Sequence, residues 1–319
     1  MRIVSLLPSA TEIAFALGLG DSLVGVTHEC TWPPEATALR HVSHTAVPAG
    51  ATSAEIDRLV GAAAAGGPPT TWLDEDAIRE LAPDVILTQD LCAVCAVPAG
   101  AVDDALARLG CRAEVVSLDP TTLDEVLDGI VRVGAVTGRE QRAADVVAGL
   151  RERLDAVREA VNGRPRRRVF ALEWADPPFG AGHWIPEMVE LAGGTPVLAV
   201  PGGRSTRLSW DDVAAAAPEV LVHMPCGHPM ATALQEGQEL LARPELADVP
   251  VVAVLHGDAY TSRPGPRLVD GVEVLAGLLH PPAWPAPATQ DAQVLRGEGA
   301  RDSAGRSRVP GCCASWEVP

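Results

Sequence analysis

The sequence contains no lysine, and all 25 of its basic residues are arginines. A P-loop lysine, a Schiff-base lysine and a lysine general base are therefore excluded. No serine lies in a G-x-S-x-G elbow, so a hydrolase triad of that type has no nucleophile. Uninterrupted apolar runs of about 18 residues are also missing, which predicts that no helix crosses a bilayer.

Charge and size restrict the class of protein further. The formal net charge is −17, and a surface of that sign repels nucleic-acid phosphates and anionic lipids, so we expect no nucleic-acid partner. The 319 residues are 47% hydrophobic, which is enough to bury a sizeable core. The composition therefore predicts a globular chain of two lobes.

The N-terminal residues and the cysteines bear on location. The apolar run from Ile3 to Leu7 is shorter than the hydrophobic region of a signal peptide, and this predicts a cytoplasmic protein. Export would require a true start further upstream. In a reducing compartment the seven cysteines are expected to be free thiols or metal ligands rather than disulfides.

Strands and helices alternate along most of the chain, which predicts an α/β fold with largely parallel sheets. Residues 1–120 form a first α/β lobe in this interpretation, and residues 121–164 are helical with one break at Thr137–Gly138. A second α/β lobe follows over residues 165–281. Residues 282–319 are rich in proline, glycine and polar residues, and we expect them to be a disordered tail.

Polar and aromatic side chains collect where the predicted strands end, which is where open α/β sheets bind ligands. The first lobe contributes His28, Glu29, Cys30, Trp32, Asp90, Cys92 and Cys95. The second lobe contributes Glu173, Trp174, His183, Trp184 and Cys226. Two of the tryptophans, Trp174 and Trp184, are candidates for stacking on a flat ligand.

The Cys92-x2-Cys95 pair has the spacing of half a structural zinc site. The missing ligands would have to come from spatial neighbours, with His28, Cys30, His183 and Cys226 as candidates. Two alternatives stay open. The thiols can be small apolar packing residues, or they can form a redox pair.

Several motifs together resemble one family, the iron-siderophore and cobalamin solute-binding proteins of ABC importers. The resemblance covers residues 2–281. Within the family, the motifs are similar to those of the subgroup described as cobalamin-binding proteins. It is carried by Arg2–Glu12, Val24–Cys30, Pro83–Leu87, Asp90–Val97, Gly182–Met188, Pro225–Gly227 and Ser262–Leu268, the last of which supplies Arg263 as a candidate ligand contact.

This resemblance implies a cluster III-like periplasmic binding protein fold, with two Rossmann-like lobes joined by a single long helix. It implies non-catalytic binding of cobalamin, another corrinoid or a related metal chelate in a cleft between the lobes. An ABC permease would be a partner only if the protein is exported. The alternative hypothesis is a cytoplasmic metal-binding or metal-dependent protein that holds Zn or Fe with Cys30, Cys92, Cys95 and Cys226.

Overall fold

The structure, a computed structural model, describes residues 1–297 except residues 49, 90–98 and 110. The chain divides into two compact units. Unit 1 comprises Met1–Glu152 and Arg263–Pro266, and unit 2 comprises Arg153–Ser262 and the chain from Arg267 onward. In the described part of the chain, no helix combines the length and the apolar character that crossing a membrane requires.

Unit 1 alternates strands and helices as the sequence predicts. Its elements, in chain order, are β1 (Ile3–Ser5), α1 (Pro8–Ala16), β2 (Leu23–Val26), β3 (Ser43–Thr45), α2 (Ser53–Ala64), β4 (Thr71–Leu73), α3 (Glu75–Leu81), β5 (Val85–Thr88), α4 (Ala99–Leu109), β6 (Glu114–Ser117) and α5 (Leu123–Thr137). Helix α6 (Glu140–Val161) follows and passes from unit 1 into unit 2.

The main sheet of unit 1 is parallel throughout, in the order β2-β1-β5-β6. Every residue of β1 is fully buried, as expected for a central strand that is covered on both faces. Val4 and Ile86 pack with Ile78 of α3 and Val102 of α4 in one apolar cluster. Because all four strands run the same way, their carboxyl ends lie along one edge of this sheet.

The predicted break in the helical region is confirmed at Gly138. Helix α5 begins with a capping box. The Thr122 side chain accepts a hydrogen bond from the Glu125 backbone N–H, and the Glu125 carboxylate accepts one from the Thr122 backbone N–H. The helix ends at Gly138, which has a left-handed φ of 67°, a conformation that glycine adopts without a side-chain penalty. The region is therefore two helices.

Unit 2 repeats the alternation. Its remaining elements are β7 (Arg168–Ala175), β8 (Pro178–Gly180), α7 (Ile185–Leu191), β9 (Thr195–Pro196), β10 (Thr206–Arg207), α8 (Trp210–Ala215), β11 (Val220–His223), α9 (Met230–Leu240), β12 (Val251–Leu255), α10 (Gly257–Tyr260), α11 (Leu268–Leu279) and β13 (Ala292–Arg296).

The sheet of unit 2 has the order β10-β8-β7-β11-β12-β13, with β9 beside β7. Strands β7, β11 and β12 are parallel, and Leu172, His223 and Val254 lie side by side across them. Phe170, Leu221 and Val252 form one apolar cluster with residues of α8 and α9. The carboxyl ends of these three central strands therefore meet at one edge, as they do in unit 1.

The expectation of a disordered tail from residue 282 is wrong for its first part. Residues 292–296 form β13, which pairs antiparallel with β12 at the edge of the sheet. Leu295 is buried against Val254 and Ala233, so this strand completes the apolar packing between the sheet and α9. Residues 298–319 lie outside the described residues.

Replacing Leu295 by alanine tests this correction. A buried leucine truncated to alanine loses about 2–5 kcal/mol of unfolding free energy, because apolar contacts disappear and a cavity remains. We expect Leu295→Ala to fall in this range in urea unfolding. The matched control is Val294→Ala on the same strand, because Val294 is 41% exposed and its truncation should change stability by less than about 0.5 kcal/mol. Equal effects of the two substitutions would contradict a folded β13.

Candidate functional site

The loop after β2 places His28 and Glu29 at the carboxyl edge of the unit 1 sheet. The His28 Nδ1 atom lies 3.2 Å from the Ser43 hydroxyl, and its Nε2 atom lies 3.3 Å from a Glu29 carboxylate oxygen. The hydrogen bond with His28 lowers the pKa of Glu29, and burial partly offsets this effect. The nearby charge of Arg263 also lowers the pKa. Glu29 is therefore a carboxylate at neutral pH, on a side chain that is 43% exposed.

Cys30 in the same loop points into the protein. It is 1% exposed, and the Thr11 hydroxyl donates to its sulfur at 3.1 Å while the Thr27 hydroxyl lies 3.3 Å from it. Burial raises the pKa of the Cys30 thiol, so the neutral form is favoured. This environment favours a packed, hydrogen-bonded thiol. Trp32, two residues on, is 44% exposed and presents an aromatic face to solvent.

Arg263 belongs to the short segment that returns to unit 1. It is 9% exposed, and both terminal guanidinium nitrogens donate to the Thr31 hydroxyl oxygen at 3.2 Å. A carboxylate oxygen of Glu12, itself buried on α1, lies 3.9 Å from the guanidinium. These contacts fix the end of the β2 loop on the unit 1 core, so Arg263 has a structural task in addition to the ligand contact predicted for it.

A cavity of about 200 Å³ opens at the carboxyl end of β6. Its lining includes Ile13, Leu118, Asp119, Asp128, Arg132 and Pro264, all from unit 1. Pockets that enclose a drug-sized ligand measure about 300–1,000 Å³. This cavity by itself is therefore too small for a macrocyclic ligand.

In unit 2, the loop from Gly202 to Ser205 packs against the residues that follow β8. Gly182 approaches it so closely that a Cβ atom there would lie 2.4 Å from the Arg204 backbone. The Gly182 N–H donates to the Ser205 hydroxyl oxygen at 3.2 Å, and the same hydroxyl is hydrogen-bonded to Glu173. Burial raises the pKa of Glu173, and the hydrogen bond with Ser205 opposes this rise.

His183 is held in place by the same loop. Its backbone N–H donates to the Gly203 carbonyl at 2.5 Å, and the Gly202 N–H donates to the His183 carbonyl at 3.0 Å. Its φ is 54°, a left-handed conformation that costs a non-glycine residue about 1–2 kcal/mol. Burial and, secondly, the charge of Arg204 lower the pKa of His183. The half-buried imidazole is therefore neutral at physiological pH, with a lone pair to offer.

Trp184 does not provide the open stacking face that the sequence suggested. It is 5% exposed, and its indole N–H donates to the Thr261 carbonyl at 2.8 Å. The residue caps the N-terminus of α7, and its side chain belongs to the buried core of unit 2. The ligand-binding interpretation of Trp184 is corrected to a core residue.

The end of β11 carries a polar cluster around Glu236 of α9. The Nε2 atom of His223 lies 2.9 Å from Glu236 Oε2, and the Nδ1 atom of His228 lies 3.4 Å from the same oxygen. His223 is fully buried and His228 is 4% exposed. Burial works against ionisation of Glu236, but the hydrogen bonds and charges of the two histidines lower its pKa to about 2.

Trp174 lies near the end of β7, and Cys226 lies in the loop after β11. The ring of Trp174 is half-buried, and its centroid is 6.1 Å from that of His228 at an interplanar angle of 46°, within the range of favourable aromatic pairs. Cys226 is a partly buried free thiol. Trp174 therefore combines a protein contact on one side with access to solvent.

Three of the predicted site residues, Asp90, Cys92 and Cys95, lie outside the described residues. Within the described ranges, no group of three or more histidine, cysteine, aspartate or glutamate side chains is arranged to hold a metal ion. Cys30 and Cys226 therefore remain metal ligands only as a sequence-based prediction.

Glu236 was missed by the sequence analysis. Its helix, α9, was not predicted, because its apolar positions are interrupted by Gly237 and by several polar residues. His223 and His228 follow a predicted strand and were visible as polar residues at a strand end. The only available signal for Glu236 was a carboxylate in the next segment of the chain, and that signal is shared by many surface glutamates.

A family model for periplasmic binding proteins matches residues 3–262. The chain belongs to the periplasmic binding protein family. This match confirms the resemblance seen in the motifs and the α/β fold class that it implied. It also places the chain among binding proteins.

Three relatives of this periplasmic binding protein are informative. The vitamin B12-binding protein of Vibrio cholerae serotype O1 is 27% identical over 280 residues, 85% of this chain and 86% of the relative. A crystal structure of the periplasmic vitamin B12 binding protein of Vibrio cholerae gives a TM-score of 0.61 at 25% identity, over 87% of this chain and 96% of that one.

The other two relatives extend the comparison. An uncharacterised ABC transporter substrate-binding lipoprotein of Bacillus subtilis (strain 168) is 26% identical over 297 residues, 88% of this chain and 80% of the relative. A crystal structure of a periplasmic heme binding protein from Pseudomonas aeruginosa gives a TM-score of 0.67 at 22% identity, over 91% of this chain and 96% of that one, and shows the shared fold.

The expectation of a cytoplasmic location is wrong. The matching relatives are periplasmic or lipoprotein substrate-binding proteins, and they point to a location outside the cytoplasm. The expectation rested on the first residues of the sequence alone. The comparisons also do not favour the alternative of a metal-binding or metal-dependent protein.

Arg263→Met tests whether the arginine anchors the β2 loop of this binding protein. Removing one member of a buried ion pair costs about 3–5 kcal/mol of unfolding free energy. Because the Arg263–Glu12 distance is long for an ion pair, at 3.9 Å, we expect a loss at the lower end of this range, about 3 kcal/mol. Arg112→Met, at an exposed position, is the control and should change stability by less than about 0.5 kcal/mol. Similar stability of the two variants in urea would refute the anchoring role.

Glu236→Gln tests the charge of the histidine cluster. The folded-state pKa is lowered from 4.5 to about 2, so ionised Glu236 stabilises the fold above pH 4.5, and this contribution is lost as the pH falls toward 2. At neutral pH we expect the variant to unfold about 1.5–3 kcal/mol more easily, the range for hydrogen bonds to charged groups. The difference from wild type should shrink below pH 4.5.

The control for this measurement is Glu239→Gln, an exposed glutamate one turn further along α9. It removes the same charge from the same helix without reaching the histidines. Denaturant unfolding followed by circular dichroism across this pH range measures both variants. A deficit of Glu236→Gln that stays constant from neutral pH to pH 3 would contradict the charged cluster.

Proposed function

We propose that this protein binds a cobalamin or another corrinoid and acts, without catalysing a reaction, as the solute-binding component of an ABC importer outside the cytoplasm. The observation that carries the proposal is the likeness to the vitamin B12-binding protein of Vibrio cholerae over 85% of the chain. The side chains at the carboxyl edges of the two sheets supply chemistry that suits such a ligand.

A corrinoid is a flat macrocycle with a central metal and neutral amide side chains around its rim. Trp32 and Trp174 offer aromatic surface for the flat faces. The Glu173 carboxyl, hydrogen-bonded to Ser205, is a polar group that can pair with an amide of the ligand rim. His183 is neutral, and its lone pair can accept a hydrogen bond from an amide N–H or approach the metal.

The predicted contact residues are retained as a proposal, with Trp184 removed. They are His28, Glu29, Trp32, Asp90, Glu173, Trp174, His183 and Arg263. Among these eight candidates Arg263 is the one arginine, and it is buried against Glu12 and Thr31. A ligand with carboxylates, such as heme with its two propionates, would need accessible cations at the site. The scarcity of arginine among the eight candidates therefore supports a ligand with neutral amides.

Titration with defined ligands tests the proposal. We expect cyanocobalamin or dicyanocobinamide to bind at one equivalent, with quenching of tryptophan fluorescence and heat in isothermal titration calorimetry. Hemin and a ferric siderophore serve as comparison ligands and should bind more weakly. Binding of either comparison ligand without binding of a corrinoid would reject corrinoid specificity and retain the solute-binding function. Absence of binding to all four would reject the proposal.

Trp174→Ala identifies the contribution of one proposed contact. Loss of an aromatic face that stacks on the ligand should weaken corrinoid binding by about tenfold, which corresponds to about 1.4 kcal/mol. Trp72→Ala is the matched control, since Trp72 is 43% exposed on β4 and is not among the proposed contacts. Unchanged affinity of the Trp174 variant would remove this residue from the proposed site.

A further inference from the structure

In the polar cluster of unit 2, His228 lies between a partly buried carboxylate and a partly exposed aromatic ring. Glu236 of α9 contacts His228, and the ring of His228 lies beside the ring of Trp174. His223 on β11 forms the shorter hydrogen bond to the same carboxylate oxygen. One carboxylate therefore interacts with the end of a strand and with the loop that follows it.

The protonation pattern of the cluster follows from its acceptor. An ionised carboxylate can only accept hydrogen bonds, so the Nε2 atom of His223 must carry the hydrogen. The Nδ1 atom of His223 is fully buried and has no hydrogen-bond partner among the described residues. The hydrogen bond from His223 to Glu236 connects the end of β11 to α9.

The loop that carries His228 is also fixed from α10. The Gly227 N–H donates to the Asp258 carboxylate at 2.7 Å, and Gly257 packs against the carbonyls of Met224 and Pro225. These contacts restrain the backbone of the loop. The orientation of the His228 ring is set in addition by the carboxylate below it.

We propose that Glu236 is a positioning residue for the ligand site of unit 2, in which it holds the His228 ring so that Trp174 presents its free face at the carboxyl edge of the sheet. This inference rests on the proposed function for the identity of the ligand. The internal contact from Glu236 through His228 to Trp174 is testable without any ligand.

Two histidines are titratable groups in contact with Glu236. His223 and His228 are the two groups whose hydrogen bonds and charges act on it. Asp258 on α10 faces the backbone of Gly227, and the ring of His256, the residue before α10, lies edge-on to that of Tyr260. The face of α9 toward β12 is apolar, with Gly237 against Val254 and Leu295. Within the described residues, His228 contacts both Glu236 and Trp174, and the proposed coupling runs through it.

The first experiment reads the environment of Trp174 directly in the full chain. Incorporation of 5-fluorotryptophan gives one ¹⁹F NMR signal for each tryptophan, and Trp174→Phe identifies the signal of Trp174. We expect Glu236→Gln to shift or broaden this signal and to leave the Trp72 and Trp210 signals unchanged. Glu239→Gln on the same helix is the control and should leave the Trp174 signal unchanged.

A second variant shows whether the effect passes through the histidine. His228→Phe keeps an aromatic ring beside Trp174 and removes the nitrogen that faces the carboxylate. In this background, Glu236→Gln should have no further effect on the Trp174 signal. An equal shift with and without His228 would overturn the proposed coupling. If Glu236→Gln fails to fold, His228→Phe alone still tests the contact, because it should also shift the Trp174 signal.

Ligand affinity separates this inference from the proposed function. We expect Glu236→Gln to weaken cyanocobalamin binding by about threefold to tenfold and Glu239→Gln to leave it unchanged. Suppose that Glu236→Gln binds cyanocobalamin as strongly as the wild type and leaves the Trp174 signal unchanged. This result overturns the positioning role and leaves the proposed function intact. A Glu236-dependent Trp174 signal without corrinoid binding by the wild type supports the internal contact and rejects the proposed function.

Discussion

Parallel strand pairing is the constraint on which the rest of this structure depends. Each unit contains adjacent parallel strands, β1, β2, β5 and β6 in one and β7, β11 and β12 in the other. Such strands are buried on both faces, so their side chains serve packing, and functional groups are displaced to the loops at their ends. Because the strands share a direction, loops that are distant in sequence lie at one edge.

The chemistry of those edges reflects their position. At the end of β2, His28 and Glu29 remain accessible while Cys30 turns inward. At the end of β7, Glu173 and His183 are both connected to the Gly202–Ser205 loop, and their pKa values shift in opposite directions because burial disfavours the charged form of each. A carboxyl group and a neutral imidazole can both form hydrogen bonds with amides.

Much of the fold could be predicted from the sequence, because hydrophobic periodicity and helix caps are local signals. The alternation of strands and helices and the break at Gly138 were predicted in this way, and Ser209 caps α8 through a capping box. Strand β13 could not be found in this way. Its surroundings are rich in proline and polar residues, and its pairing with β12 is a long-range contact that local composition does not report.

The site was less accessible to sequence reasoning than the fold. Strand ends indicated His28, Glu29, Trp174 and His183, but whether a side chain turns toward solvent depends on the backbone, as the left-handed turn before buried Trp184 shows. Glu236 was invisible because its role depends on two histidines brought to it by the sheet. Location was mispredicted because the first residues were the only evidence used.

The central claim is that these strand-end loops hold a corrinoid. Native mass spectrometry of the protein purified from its own source, combined with its absorption spectrum, tests this most directly. The claim predicts a protein with the added mass of one corrinoid and the corrinoid absorption bands. A retained heme with a Soret band would contradict it, as would a protein that stays without ligand when a corrinoid is supplied in excess.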